Sequence, residues 1–464
     1  MALSIRNFTS FKVVAVVTCM FVTSMFYFPF EFRALPGVNT KMMLAAIALV
    51  LLLFRMVYKH DLTMTRDFLF LSILAGVVSF CGFVAVTYNN TDDYAYATYL
   101  TSMLTWWGAA YTVSRLIRCI HGRLTWQLVV NYLTAVCVFQ CIIALVMDEN
   151  PSVKQFINSI VLQEDLIFGG NVRRLYGIGA ALDVAGLRFA AVLVMIIYLL
   201  ANADIQKRWY EYFVYFLSFI IITVAGNIIA RTTLVGTIIG LAYLGYVTFK
   251  QAKHIEHNYF VLWRWLGGIL VISIPLLIYS YQTDAKMRDN LEFAFEGFFN
   301  LAEHGTFSYA SSETLKTMYV WPDNLKTWVV GDGYFTNPRY TDAHYTGERY
   351  LGYYMGTDVG YLRFIFYFGM IGLLAFSFFM LKVGQVCIKK FPQWRGMFLM
   401  LLLTHFVVWF KVSSDLFMGF AIFLCLDNQR KDENEEEEQH EEDSTANCLL
   451  LTPHENRLPH SRHV

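Results

Sequence analysis

The chain has 464 residues, of which 56% are hydrophobic and only 16% are charged. Soluble domains carry about 25% charged residues, so this composition excludes a series of soluble domains and predicts a polytopic membrane protein. The 36 basic and 36 acidic residues balance each other, and the net charge therefore gives no indication of a nucleic-acid partner.

Apolar windows follow one another along most of the chain. A helix that crosses the hydrocarbon of a bilayer needs about 20 mostly apolar residues. Twelve windows of this kind are found, at 12–30, 42–58, 68–88, 97–117, 126–147, 186–202, 210–229, 232–249, 261–281, 359–381, 396–410 and 412–426. No cleavage site follows the first window, so we expect it to be retained as a span. The predicted fold is all-α, with about 12 transmembrane helices.

Basic residues predict the orientation of these spans, because Lys and Arg in short loops resist translocation. With the N-terminus in the cytoplasm, the cytoplasmic side collects 19 of them: Arg6, Lys12, Arg55, Lys59, Arg66, Arg115, Arg118, Arg123, Lys207, Arg208, Lys250, Lys253, Arg264, Lys382, Lys389, Lys390, Arg395, Arg430 and Lys431. The short outer loops hold four, namely Arg33, Lys41, Arg231 and Lys411. Both termini are therefore predicted to be cytoplasmic.

Two outer loops are long, and they divide the chain. Residues 1–281 are predicted to hold spans one to nine, with an outer loop at 148–185. Residues 282–357 form a large extracytoplasmic loop before span ten, which we expect to be a small subdomain because structureless loops of that length are uncommon. Residues 358–426 hold the last three spans. The acidic segment 427–464 is predicted to be a disordered cytoplasmic tail.

No sequence motif indicates a cofactor or a metal. The chain has no phosphate-binding glycine loop, no dinucleotide fingerprint and no zinc-binding helix motif. Neither long outer loop contains one of the eight cysteines, so no thiolate metal site is expected there.

Arginines on the predicted outer side run against the charge bias of the rest of the chain. Arg173 and Arg174 lie in the first long outer loop, and Arg188 lies about a turn inside the sixth window. A charge beside or inside a span is costly and marks a functional candidate. Arginine binds phosphate oxygens in a bidentate manner, which makes these residues candidates for an anionic substrate. The alternative for the loop is an interfacial basic segment that contacts lipid headgroups.

A further arginine, Arg231, precedes Thr232 and Thr233 in the tight turn between windows seven and eight. The exposed amides at a helix start add positive potential, so this turn is a candidate anion site. The alternative is an arginine that extends to the interface while Thr232 caps the following helix.

Charged residues also surround the start of span ten. Asp358 precedes the tenth window and Arg363 lies inside it, where it needs a counter-ion. Asp358 is a candidate proton acceptor, with a plain helix cap as the alternative. The preceding loop is rich in Tyr, Trp, Gly and Asp, contains Arg339 and His344, and suits sugar binding. Near the C-terminal spans, Lys411 and Asp415 are four residues apart and are predicted to pair with each other.

Together these features resemble bacterial O-antigen polymerases (Wzy type) and the related O-antigen ligases. The resemblance extends over residues 12–426 and rests on the layout of spans and loops and on several short segments. These segments are Arg174-x-x-Gly177 with Asp183–Gly186, Ala230–Leu234, Gly331–Phe335, Asp358–Leu362 and Gly369–Gly372. The family often has Pro-Asn where this chain has Leu182-Asp183. The ligases typically have His-Asn at Asp358-Val359, so Asp358 favours the polymerase.

The resemblance implies a metal-independent glycosyltransferase of the bacterial inner membrane that needs no cofactor. A glycan on undecaprenyl diphosphate would be the donor, and a hydroxyl of a second lipid-linked repeat unit would attack its anomeric carbon. Asp358, or else His344, would accept the proton. Six arginines would contact the diphosphate and the glycan: Arg173, Arg174, Arg188, Arg231, Arg339 and Arg363. A chain-length regulator and a flippase are the implied partners. An O-antigen ligase and a lipid-linked oligosaccharide flippase remain alternatives.

Overall fold

The computed structural model describes residues 2–59, 65–163, 175–202, 208–251, 257–306, 308, 310–337 and 352–426. Four of the predicted site residues, Arg173, Arg174, Arg339 and His344, lie outside the described residues. The predicted tail, 427–464, also lies outside them.

The described residues are helical almost throughout. The helices are α1 (Ala2–Tyr27), α2 (Thr40–Lys59), α3 (Arg66–Asn89), α4 (Tyr99–His121), α5 (Trp126–Glu149), α6 (Pro151–Ile160), α7 (Leu182–Ala201), α8 (Trp209–Ile229), α9 (Thr233–Gln251), α10 (His257–Thr283), α11 (Ala285–His304), α12 (Ala310–Thr317), α13 (Leu325–Val329), α14 (Gly360–Lys390), α15 (Arg395–Val408) and α16 (Phe417–Leu424). Two short 3₁₀ helices cover Tyr354–Gly356 and Pro392–Trp394. Within this part of the chain, the sheet is one antiparallel pair of two-residue strands, β1 (Glu31–Phe32) and β2 (Val161–Leu162).

Eight of the described helices are long and apolar enough to cross a membrane: α2, α3, α5, α7, α8, α9, α10 and α14. The protein is therefore an all-α polytopic membrane protein, as its composition predicts. The four remaining windows also contain helices, but α1 has a shorter apolar part (Lys12–Tyr27), α4 is more polar, and α15 and α16 have only 14 and 8 residues.

The centre of the helix bundle is α7. Of its apolar window, 94% is buried inside the protein, whereas only 17% of the windows of α2 and α10 is buried. Helices α8 and α9 and the shorter α15 pack around α7, and α1 and α5 pack against each other nearby. An apolar helix that is enclosed on all sides forms a core, while α2 and α10 present apolar side chains to the lipid.

The long helix α14 is interrupted near its middle. Phe368 and Gly369 leave the helical conformation, and Gly369 has φ +68°, a value that suits glycine. The break frees carbonyl groups of the preceding turn. The amide of Asp332 donates to the Phe366 carbonyl at 2.6 Å, and the amide of Gly333 donates to the Tyr367 carbonyl at 3.0 Å. The loop that follows α13 is thereby docked onto the break.

Side chains hold the same loop against the turn between α3 and α4. Lys326 Nζ lies 2.7 Å from Asp332 Oδ1 and donates to Asn89 Oδ1 at 2.7 Å. Thr91 Oγ1 donates to the Gly333 carbonyl at 2.9 Å. The glycine-rich segment Gly331–Phe335 is therefore fixed on both sides, and its last residue, Phe335, reaches a large cavity.

Candidate functional site

A cavity of about 1030 Å³ opens where the start of α7, the turn between α8 and α9, one face of α11, the start of α14 and residues 411–414 come together. Its described lining contains three basic residues, Arg231, Arg363 and Lys411. Five carboxylates also line it: Asp183, Asp289, Glu292, Glu296 and Asp358. Of the predicted site residues, the structure brings Arg231, Asp358 and Arg363 together here.

Close packing of α7 against the start of α9 builds one wall. A side chain at Gly186 would lie 2.9 Å from both Ala230 Cβ and Thr232 Cβ, so the absence of a side chain there allows the approach. The approach places the Thr232 hydroxyl where it donates to Asp183 Oδ1, and Lys411 Nζ pairs with the same oxygen at 2.8 Å. The hydroxyl of Thr232, which the alternative prediction assigned to a helix cap, binds Asp183 instead. Lys411 pairs with Asp183, so the predicted Lys411–Asp415 pair is wrong.

Backbone strain marks the same wall. Leu182, the first residue of α7, has φ +55°, in the left-handed region that a branched side chain rarely adopts. Strained residues of this kind concentrate at functional sites, where the surrounding structure holds them in place. Here the strained residue carries Asp183 to the edge of the cavity.

Arg231 is held in place rather than extended toward an interface. Its Nη2 forms a 2.5 Å salt bridge with Glu296 Oε2, and its Nε donates to the Phe293 carbonyl at 2.9 Å. The guanidinium also lies 4.2 Å from the centre of the Phe293 ring. One turn of α11 therefore binds this arginine through charge, backbone and ring together.

Asp358 and Arg363 lie next to each other in another part of the cavity wall. Arg363 Nη1 lies 3.7 Å from Asp358 Oδ1 and donates to Ser413 Oγ at 2.7 Å. Its guanidinium lies 3.7 Å from the centre of the Phe335 ring. The helix cap alternative for Asp358 does not hold, because Val359 is the N-cap residue of α14 and makes no side-chain cap bond. The buried Oδ1 of Asp358 accepts no hydrogen bond from the residues that the structure describes.

Burial raises the pKa of the Asp358 carboxyl from 3.8 to about 7. The positive charges of Arg363 and Lys411 and a hydrogen bond from Tyr353 oppose this rise, while the negative charge of Asp183 adds to it. A carboxyl group with a pKa near neutrality both accepts and releases a proton at physiological pH, which suits general acid–base chemistry.

Arg188 lies elsewhere. It is on α7 but does not belong to the described cavity lining, and its guanidinium lies 5.7 Å from the ring centres of Phe28 and Trp106. The structure therefore separates Arg188 from the other described arginines that the sequence assigns to substrate binding.

Sequence reasoning missed the acidic face of α11. Asp289, Glu292 and Glu296 are spaced at i, i+3 and i+7, with Phe293 between them, and all four side chains line the cavity even though α11 leaves the helical conformation at Phe295. That spacing was the available signal. The spacing is not evident from hydropathy, because α11 is too polar to form an apolar window and therefore reads as part of a loop at 282–357.

The cavity is therefore of mixed charge, with more carboxylates than cations among its described lining. Such a lining can contact an anionic group through Arg231, Arg363 and Lys411 and sugar hydroxyls through the carboxylates. Comparisons with protein-family models, with curated proteins and with solved structures found no match to this chain.

Proposed function

We propose that this protein polymerises lipid-linked oligosaccharide repeat units by glycosyl transfer at the outer face of a bacterial inner membrane, in the manner of O-antigen polymerases. In this proposal the chain crosses the membrane twelve times, both termini are cytoplasmic, and the cavity opens on the outer side together with the helices of 282–357. The donor and acceptor are undecaprenyl-diphosphate-linked glycans. A chain-length regulator and a flippase act with the protein.

The observation that carries the proposal is the position of Asp358. Its carboxyl has a pKa of about 7, and one of its oxygens accepts no hydrogen bond within the described part of the chain. It also lines a cavity whose described lining contains three cations. Glycosyl transfer from a lipid diphosphate needs a proton acceptor for the attacking hydroxyl and positive charge for the leaving diphosphate. One cavity holds residues suited to both requirements.

The chemistry then divides among the residues of this chain. Asp358 accepts the proton of the acceptor hydroxyl as that oxygen attacks the anomeric carbon of the donor. The bond from the anomeric carbon to the diphosphate oxygen breaks, and Arg363, Arg231 and Lys411 stabilise the charge that develops on the diphosphate. The donor is already activated, so the step needs no ATP.

The salt bridges of the cavity imply an exchange of partners. Arg231 is bound to Glu296 at 2.5 Å and Lys411 to Asp183 at 2.8 Å. A diphosphate that enters the cavity therefore competes with carboxylates for these cations. The carboxylates that are released are hydrogen-bond acceptors for sugar hydroxyls, so one ligand engages both kinds of group.

The test is the glycan phenotype of a deletion strain complemented with wild-type protein or with Asp358→Asn. We expect the deletion and the variant to leave surface glycan with a single repeat unit attached, and the wild type to restore the ladder of long chains. Free lipid-linked polymer would identify a ligase instead, and accumulation of repeat units in the cytoplasm would identify a flippase. A normal ladder in the deletion strain would refute all three functions.

A further inference from the structure

A second group of charged side chains lies outside the described lining of the cavity. It consists of Lys41 at the start of α2, Arg188 on α7 and Asp415 just before α16, and the positive charges of Lys41 and Arg188 both act on the Asp415 carboxylate. Lys41 Nζ lies 4.4 Å and the Arg188 guanidinium 5.7 Å from the centre of the Trp106 ring. Arg188 is only 9% exposed. We refer to these four residues as the Trp106 cluster.

The charged side chains of the Trp106 cluster form no salt bridge with one another. Among the described residues, neither Lys41 nor Arg188 forms a salt bridge or donates a side-chain hydrogen bond. Asp415 Oδ1 accepts a hydrogen bond from the amide of Phe417 at 3.0 Å. A charge removed from water, as that of Arg188 is, normally makes a close, hydrogen-bonded pair, because an unpaired buried charge is unfavourable. The cluster therefore has donors for an acceptor that the described part of the chain does not supply.

We propose that the Trp106 cluster binds a singly charged phosphodiester, the group that a phospholipid headgroup presents. Lys41 and Arg188 carry two positive charges and Asp415 one negative charge, so a single negative charge makes the cluster neutral. A diphosphate diester carries two negative charges and leaves an excess of one. The guanidinium of Arg188 and the ammonium of Lys41 both bind phosphate oxygens.

Aromatic side chains surround the cluster. Phe26 and Phe28 are buried beside the cluster, the Phe26 ring packs edge-on against Trp106, and the Phe28 ring packs against Phe189. These buried rings hold Trp106 and Arg188 in place, so the two cations of the cluster have a fixed aromatic support. This site does not depend on the glycosyl transfer proposed above, and it is separate from the described lining of the cavity.

The experiment measures retention of phosphatidylglycerol by the purified full-length protein, with native mass spectrometry in detergent. We expect Lys41→Gln and Arg188→Gln each to weaken binding roughly tenfold, because each removes a charge-assisted contact to the phosphate. Lys382→Gln is the matched control, since Lys382 is half-buried, lies outside the cluster and donates to Gln385. It should bind like the wild type. If Arg188→Gln does not fold, Lys41→Gln decides the result.

Two further arms test the charge of the ligand. Asp415→Asn removes the negative charge, so we expect its preference to move from phosphatidylglycerol toward the more highly charged phosphatidic acid. Geranylgeranyl diphosphate, a monoester that carries even more negative charge than a diphosphate diester, should compete poorly with phosphatidylglycerol in the wild type. Tighter binding of the diphosphate would overturn the assignment to a single charge. Unchanged binding in Lys41→Gln, or an equal loss in Lys382→Gln, would overturn the site itself.

Discussion

The cavity and the Trp106 cluster both contain basic side chains, but these side chains have different partners in the two regions. In the cavity each described cation has a carboxylate partner: Arg231 has Glu296, Lys411 has Asp183 and Arg363 has Asp358. In the Trp106 cluster the cations have aromatic rings nearby and no described carboxylate in contact. Paired cations can exchange partners during a reaction, whereas unpaired ones favour a ligand that stays bound. On the two proposals made above, turnover would take place in the cavity and lasting lipid contact at the cluster.

The sharpest test of this division is Asp358→Asn, which removes the proton acceptor and keeps the shape of the side chain. We expect the rate of polymerisation by the purified protein to fall by about 10²-fold or more, as general base catalysis typically contributes that much. Binding of lipid-linked substrate should change little. The measurement is chain growth from lipid-linked repeat units, followed by gel electrophoresis.

Asp358→Glu is the matched control, because it keeps the carboxyl group. We expect it to retain more activity than Asp358→Asn. Wild-type rates in Asp358→Asn would remove Asp358 from the reaction and, with it, the assignment of turnover to this cavity.

The second test separates the two members of the Arg231–Glu296 salt bridge. If Arg231 binds the leaving diphosphate, Arg231→Ala should lower kcat/KM by roughly 10²-fold, whereas Glu296→Gln should retain activity and bind donor more tightly. The reason is that Glu296 competes with the diphosphate for the guanidinium. Equal losses of activity and stability in both variants would indicate a purely structural pair.

The third test compares two lysines by stability. Lys411→Met removes the salt bridge to Asp183, so we expect the free energy of unfolding to fall by about 1–3 kcal/mol. Lys41→Met removes a cation that has no described carboxylate in contact, so stability in lipid-free detergent should stay the same or rise. Thermal unfolding of both variants gives the comparison. A larger loss for Lys41→Met would show that the two regions do not differ as described.

The smallest expected effect is on the pH profile. Asp358 acts in its charged form, and burial raises its pKa to about 7, so the rate should increase as the pH rises through 7 and then level off. Arg363 favours the charged form, so Arg363→Gln should move this limb to higher pH. The initial rate of chain growth between about pH 5 and 9 is the measurement. A limb that does not move would separate the titrating group from Arg363.

The helical membrane architecture follows from composition and apolar windows, because burial in lipid requires long apolar helices. Arg231, Asp358 and Arg363 were also identified from sequence, since a charge beside a span is costly and stands out in a chain with so few charges. Their grouping into one cavity was not predicted, because it depends on how α7, α9 and α14 approach one another.

Two parts of the site escaped prediction for physical reasons. The face of α11 with Glu296 lies in a polar segment, and a search for apolar windows does not detect amphipathic helices there. Lys411 is four residues from Asp415, but Lys411 and Asp183 are brought together only by tertiary packing. Spacing along the chain therefore favoured the wrong partner.

The break in α14 divides the helix into a part that the bilayer can tilt and a part that the loop after α13 holds. Beyond Gly369 the helix continues to Lys390, and a change in membrane thickness tilts such a segment. The part that carries Arg363 is instead tied through the Phe366 and Tyr367 carbonyls to the loop after α13. The segment with Arg363 is thus anchored by that loop, so we expect the geometry of the cavity to depend little on the lipid composition around the second half of the helix.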